Sequence, residues 1–423
     1  MTVKKNILVF PCGSEVALEI YRSLEFSNHF NLIGGSSVDD HGKFVFVNYV
    51  PDIPFVNDEN FIKILKGVIK EHNVDFIFPA TDYVIYELKK NESNLGCKII
   101  SSSFETVEVC LSKSKTYRLL SDVIKTPILF NDVSKINKYP VFLKPDVGYG
   151  SRGVFKANNE NDVVSHLNKN PQNIILEFLP GKEYTVDCFT NFKKELIFVG
   201  SRERSRISNG ISVNTKTMYS DSRFLEIAEL INEKLELNGA WFFQVKERNN
   251  GELVLLEVAS RLAGSSAVYR ALGINFSSLS IFNAMEIPVE ILENNYEVEL
   301  DRALYNVCKI NLKFNHIYID LDDTIIVDGK VNFDLVAVIY KFINQGKKIH
   351  LITKHKFDVN LTLLKYRIKE LFDTIIHLQP EDSKADYIKH SDSIFIDDSF
   401  AERKEVFVKL NLKVFSVDQT QFL

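Results

Sequence analysis

The chain has 423 residues, of which 45% are hydrophobic and 25% charged, and carries a net charge of −5 at pH 7. That balance describes a soluble protein with buried cores, and the lack of a basic block argues against nucleic acid as a main partner. Five scattered cysteines without a CxxC pair argue against a disulfide framework or a zinc site and predict a reducing, cytoplasmic setting.

No segment approaches the ~20 apolar residues of a membrane span. The opening run NILVF, residues 6–10, is too short for a signal-peptide core and reads as a buried first strand. It ends at Pro11, Cys12 and Gly13, and Val16, Ala17, Ile20 and Leu24 then fall on one helical face. A second apolar run, Val74 to Phe78, ends in PATD. Asp82 therefore lies just past a strand end, where it either meets a ligand or caps the next helix. Residues 1–105 read as a small doubly wound α/β domain.

The middle, residues 106–311, alternates strand-like stretches with helices and reads as α+β. Its segment VFLKPDVGYGSRGV, residues 141–154, takes a strand through Lys144 into a loop holding Gly148, Gly150, Ser151 and Gly153. Such a loop either lets backbone N–H groups approach phosphate oxygens or is a plain turn. Further on, SRERSRISNG places Arg202, Arg204 and Arg206 on alternating residues. In a regular strand they share one side, suited to an anionic substrate or to a solvated sheet edge.

Two more stretches complete a pattern: IILEFLPGKEYTVD at 174–187 and WFFQVKERNNGELVLLEVASRLAGS at 241–265. With the glycine loop, in this order, they resemble the ATP-grasp superfamily, in particular the carbamoyl-phosphate synthase large chain and carboxylate–amine ligases. The resemblance implies a preceding α/β domain and a nucleotide held between two α+β lobes. It implies that Lys113 and Lys144 contact ATP phosphates, with Lys144 also near the adenine. Glu177, Phe178 and Leu179 would hold the adenine edge, and Glu183 the ribose. Gln244 and Glu257 would hold Mg²⁺, as oxygen donors on two strands paired by a turn at Asn249–Gly251. Arg261 would contact the phosphoryl group or the acyl phosphate. Where the family places an Asn two residues after its metal-binding Glu, this chain has Ala259, which offers no oxygen.

From residue 312 a second α/β unit begins. HIYIDLDDTI, residues 316–325, ends a strand in Asp320, Asp322 and Asp323; two acids so close call for a cation. IHLITK ends a strand at Thr353, Lys384 starts a helical stretch, and SIFIDDS ends a strand at Asp397 and Asp398. This ordered set resembles the haloacid dehalogenase-like (HAD) phosphatases. The resemblance implies a Rossmann-like domain in which Asp320 attacks phosphorus and Asp322 moves the proton. Thr353 and Lys384 would bind phosphoryl oxygens, and Asp320, Asp322, Asp397 and Asp398 would form the Mg²⁺ site. Only 32 residues separate Asp320 from Thr353 and 30 separate Thr353 from Lys384, so the domain is expected to lack a cap.

The expectation is a bifunctional enzyme using ATP and Mg²⁺, joining a carboxylate to an amine and hydrolysing a phosphorylated compound of the same pathway. The alternative keeps the phosphatase and makes the ATP-grasp part a nucleotide-binding or substrate-recognition module. A homodimer is left open.

Overall fold

The structure is a computed structural model that describes residues 4–148, 153–208, 210–218, 221–294, 296–303 and 312–423. The chain folds as two compact units, Met1–Tyr305 and Asn306–Leu423.

The first unit opens with a parallel sheet of β1 (Lys5–Phe10), β2 (Phe30–Gly35), β3 (Asn48–Val50), β4 (Phe76–Pro79) and β5 (Lys98–Ile99), in the order β3-β2-β1-β4-β5. β1 reads as a continuous apolar run because both of its faces are covered. Ile7 and Val9 enter one core, Leu8 and Phe10 another. Helix Glu15–Leu24 follows; Ser14 caps it by accepting the Ala17 N–H, and Val16, Ala17, Ile20 and Leu24 are buried, as their spacing predicts. Chain order reverses between β1 and β4, so Ser14 and Asp82 lie at the carboxyl ends flanking the switch point. Phe189, Tyr269, Phe276 and Ile281 pack into the same core as Ile7 and Ile20. Packing is therefore continuous across residue 105, where the sequence suggests a boundary.

Two antiparallel sheets build the rest of this unit. The smaller holds β6 (Leu129–Phe130), β7 (Val141–Pro145), β8 (Phe155–Ala157) and β9 (Asn173–Glu177), in the order β6-β9-β7-β8. The larger holds β10 (Glu183–Thr190), β11 (Leu196–Ser208), β12 (Ile211–Thr217), β13 (Gly239–Glu247), β14 (Leu253–Ala259) and β15 (Glu299–Asp301), in the order β14-β13-β10-β11-β12-β15. Residues 178–182 join β9 to β10, and so one sheet to the other.

The second unit is a parallel sheet of β16 (His316–Ile319), β19 (Lys348–Thr353), β20 (Thr374–His377), β21 (Ser393–Ile396) and β22 (Lys413–Phe415), in the order β20-β19-β16-β21-β22. Ile317, Ile319, Ile349, Leu351, Ile394 and Ile396 fill one core, while Tyr318, Ile352 and Phe395 point into the other. A short ribbon, β17 (Ile326–Val327) and β18 (Lys330–Val331), turns at Asp328 and Gly329. Both turn residues have positive φ, the backbone that an Asp-Gly hairpin turn requires. Between β16 and β19 lie this ribbon and helix Phe333–Asn344, and between β19 and Lys384 lie helix Val359–Lys365 and β20. Neither gap holds an inserted domain, in keeping with the spacing argument.

Candidate functional sites

The β13–β14 hairpin sets Gln244 directly opposite Glu257. The row continues across the sheet, because Thr185 pairs with Gln244 and with Arg202. Partners in register share a face, so these side chains line one surface. Ala259 lies two residues beyond Glu257 and pairs with Phe242. It is on the same face and offers that surface a methyl group rather than an oxygen.

Lys144 comes from β7 of the smaller sheet and is 8% exposed. Its Nζ donates to the Tyr117 hydroxyl at 2.9 Å and to the Leu256 carbonyl at 3.3 Å. Burial pushes its pKa down to about 7; Lys113 adds to that fall, while Glu257, Glu183 and Asp146 oppose it. Lys113 starts helix Lys113–Leu120, and its Nζ donates to the Gly148 carbonyl at 3.0 Å. Asp146 secures that helix start, accepting from the Ser114 N–H at 2.7 Å and the Ser112 hydroxyl at 2.6 Å. Gly148 and Gly153 bracket the loop; Gly153 has φ +70°, which favours glycine. Gly150 and Ser151 lie outside the described residues.

A cleft between the two sheets is lined by Lys113, Lys144, Glu177, Phe178, Leu179, Glu183, Gln244 and Glu257. It adjoins a cavity of about 960 Å³ that shares Lys113, Gln244 and Glu257 and reaches Asp82, Arg261 and Arg302. The predicted nucleotide and metal residues are thus brought together. The Glu177 carboxylate is engaged by Arg248 at 2.5 Å, and Glu177, Phe178 and Leu179 all line the cleft. Glu183 pairs with Arg204, which also donates to Gln244 Oε1 at 3.1 Å. The buried Nε of Arg204 has no hydrogen-bond partner, so a donor remains for an incoming oxygen.

The three alternating arginines do not form one cluster. A register irregularity between Glu203 and Arg206 breaks the alternation on β11. Arg206 is exposed and grips Asp301 through two contacts of 2.7 and 2.9 Å. Arg202 is 1% exposed; its Nε donates to Asp187 at 2.7 Å and its Nη1 to Ser265 at 3.0 Å. Of the three, Arg204 is the one with a buried donor left without a partner. Burial raises the Asp187 pKa, outweighing the opposing pull of Arg202. Because both charges are buried, removing one strands the other. Asp187→Ala is expected to cost about 3–5 kcal/mol, read as a lower denaturation midpoint; a loss under about 1 kcal/mol would return Arg202 to the set of free substrate ligands.

Asp82 begins helix Asp82–Lys90 without capping it; its carboxylate takes two hydrogen bonds of 2.8 Å from Arg261. Arg261 also lies 5.3 Å from the Phe242 ring centroid. At the cavity's far side Arg302 pairs with Glu15 at 2.5 Å. Nothing in the sequence signals this pair, nor Tyr117 as the partner of Lys144.

In the second unit three strand ends converge. Asp320 follows β16, Asp397 and Asp398 follow β21, and β16 pairs with β21 in parallel register. Carboxylate oxygens of Asp320, Asp397 and Asp398 lie within 4.8 Å of one another. Lys384, 3% exposed, donates to Asp320 at 2.7 Å and to Asp397 at 2.6 Å. Burial raises the Asp320 pKa to about 6, against the pull of Lys384 and with the push of Asp397. Burial opposes the charge on Lys384, but the two aspartates win and raise its pKa. Thr353 Oγ1 is buried without a partner, at the end of β19. Three carboxylates, one lysine and an unsatisfied hydroxyl suit Mg²⁺ with a phosphoryl group.

Asp322 departs from the expected metal set. Its carboxylate is not in the group of three; both oxygens lie 2.9 Å from His355 Nδ1. The next residue, Asp323, adopts a left-handed backbone at φ 54°, and Thr324 turns back to Asp398 at 3.2 Å. That tight turn directs Asp322 away from the three carboxylates and toward His355. His355, two residues past Thr353, is a partner that spacing along the chain does not reveal.

The sheets and the cleft of the first unit define an ATP-grasp fold. Residues 169–303 match the family model described as "ATP-grasp in the biosynthetic pathway with Ter operon". A tyramine–L-glutamate ligase of Methanocaldococcus fervens is 27% identical over 247 residues, 56% of this chain and 75% of its own. The biotin carboxylase–β,γ-ATP complex from Campylobacter jejuni superposes with a TM-score of 0.59 at 18% identity, covering 70% of this chain and 74% of that one. The L-amino acid ligase from Bacillus licheniformis superposes with a TM-score of 0.56 at 19% identity, covering 69% and 76%. These structural likenesses establish the fold.

Proposed function

We propose that the first unit is an ATP-dependent carboxylate–amine ligase and that the second is a Mg²⁺-dependent aspartyl phosphatase. The observation that carries the ligase reading is the pairing of Gln244 with Glu257 in a cleft that also holds Lys113 and Lys144. The relatives' printed activities, joining tyramine to glutamate and linking amino acids, support an acid and an amine as substrates.

In this reading ATP lies in the cleft, its base near Phe178 and Leu179, its ribose near Glu183 and its phosphates near Lys113 and Lys144. Gln244 and Glu257 would hold Mg²⁺, which would supply positive charge against the polyphosphate. Arg261, oriented by Asp82, steers the acid so that a carboxylate oxygen attacks the γ-phosphorus and ADP leaves. The amine then attacks the acyl phosphate carbon, loses a proton and expels phosphate.

In the second unit, an Asp320 oxygen attacks the phosphorus of a phosphate ester while Asp322 protonates the departing oxygen. Asp322 then takes a proton from water, which attacks the aspartyl-phosphate and frees phosphate and Asp320. Lys384 and Thr353 hold the phosphoryl oxygens. Asp320, Asp397 and Asp398 would hold Mg²⁺, which would offset the crowding of negative charge.

Ala259 favours a second reading, in which the first unit binds nucleotide without ligating. Measuring ADP release over pairs of carboxylates and amines separates the two: release that needs both substrates supports ligation, whereas tight ATP binding with no release for any pair supports the module.

Lys144 adds a pH prediction. Its depressed pKa leaves it half charged near pH 7 in the free protein, whereas a polyphosphate favours the charged form. Nucleotide binding should take up a proton. Affinity should be highest below pH 7 and fall by up to about tenfold per pH unit above it. Calorimetry in buffers of different ionisation enthalpy measures the uptake; Lys144→Met should abolish it.

A further inference from the structure

At the opposite end of the second unit's sheet, three histidines converge that play no part in the proposed chemistry. His316 opens β16, His350 lies within β19 and His390 precedes β21. Tyr318 is in register with His350 and two residues from His316, so all three side chains share a face. Asp320 lies four positions after His316, about 13 Å along an extended strand, so the cluster is distinct from the carboxylates.

The contacts are those of a ligand set. His350 Nδ1 lies 2.8 Å from Thr374 Oγ1, and His390 Nδ1 lies 2.7 Å from the Tyr318 hydroxyl. Both rings are therefore oriented through Nδ1, the usual arrangement of metal-bound imidazoles, and the Nε2 of His350 is hydrogen-bonded within the cluster. His316 Nδ1 is 2.8 Å from His350 Nε2, and one nitrogen from each of the three residues lies within 4.8 Å of the others. Two nitrogens on one tetrahedral zinc ion are about 3.4 Å apart, given Zn–N bonds near 2.1 Å, so a shift of an ångström or so suffices. His350 is buried, while His316 and His390, stacked with centroids 3.6 Å apart, are half-buried.

We propose that His316, His350 and His390 bind one divalent transition-metal ion of the zinc type, as a clip joining β16, β19 and the segment before β21. Imidazoles select Zn²⁺, Ni²⁺ or Cu²⁺, whereas Mg²⁺ prefers the carboxylates, so the two ends of the sheet take different ions. The clip binds the folded unit and not the unfolded one, and so stabilises it.

The test uses the full chain, stripped with a chelator, held in excess Mg²⁺ and titrated with Zn²⁺ against a chelating dye, with thermal unfolding in parallel. Wild type should take up one tight equivalent at this site and gain several degrees in the unfolding midpoint. His316→Gln and His390→Gln should each weaken that equivalent by about tenfold or more and lose the thermal gain, while Asp397→Asn keeps both. If one histidine variant fails to fold, the other gives the same reading. The proposal is overturned if wild type binds no tight equivalent, if both histidine variants bind it unchanged, or if Asp397→Asn removes it.

Discussion

Asp320→Asn should abolish phosphate-ester hydrolysis, by roughly 10³-fold or more, while leaving ATP-dependent ADP formation intact. The amide keeps the shape of the carboxylate but is a poor nucleophile. The substitution also removes one of the three acids gathered within 4.8 Å and leaves Lys384 bonded to Asp397. The fold should therefore persist, and the loss should be chemical. The assay is phosphate release from a panel of phosphate esters, run beside an ADP assay on the same preparation. Loss of both activities would mean that the two sites are coupled. Loss of neither would remove Asp320 as the nucleophile.

The complementary experiment strikes the other site. Glu257→Gln should lower ADP formation by roughly 10²–10³-fold, because a neutral amide holds Mg²⁺ weakly and leaves the polyphosphate charge uncompensated. Lys144→Ala should reduce ADP formation too, but through weaker nucleotide binding, since its Nζ is the buried cation beside Tyr117. Neither change touches Asp320, Lys384 or Asp397, so phosphate-ester hydrolysis should be retained in both variants. Steady-state kinetics on wild type and the two variants distinguishes these effects: a fall in kcat for Glu257→Gln, and a rise in KM for ATP for Lys144→Ala.

Much of this was legible in the sequence because apolar strands ending in charged residues fix both an element and the position of its chemistry. Asp320, Thr353 and Asp397 each follow directly on, or close, a buried strand, and parallel pairing brings those ends together. Gln244 and Glu257 flank one hairpin, so their meeting follows from the turn between them. What could not be read depends on partners far away in the chain. Arg202 looks like a substrate ligand until Asp187 is seen to hold it at 2.7 Å. Arg206 leaves the series because one irregularity in β11 changes the face it points to. Asp82 offered a choice between ligand and helix cap, and its engagement with Arg261 is neither. Asp322 falls among the metal acids on the motif's order alone, whereas the left-handed Asp323 backbone turns it toward His355. The shared core of Ile7 and Phe276 likewise joins segments that composition alone divides.

The most direct measurement is a crystal structure of the full chain with a non-hydrolysable ATP analogue and Mg²⁺. The expected result is phosphates against Lys113 and Lys144 and a cation between the Gln244 and Glu257 oxygens. A nucleotide bound elsewhere, or a cation that avoids Glu257, would contradict the assignment of this cleft.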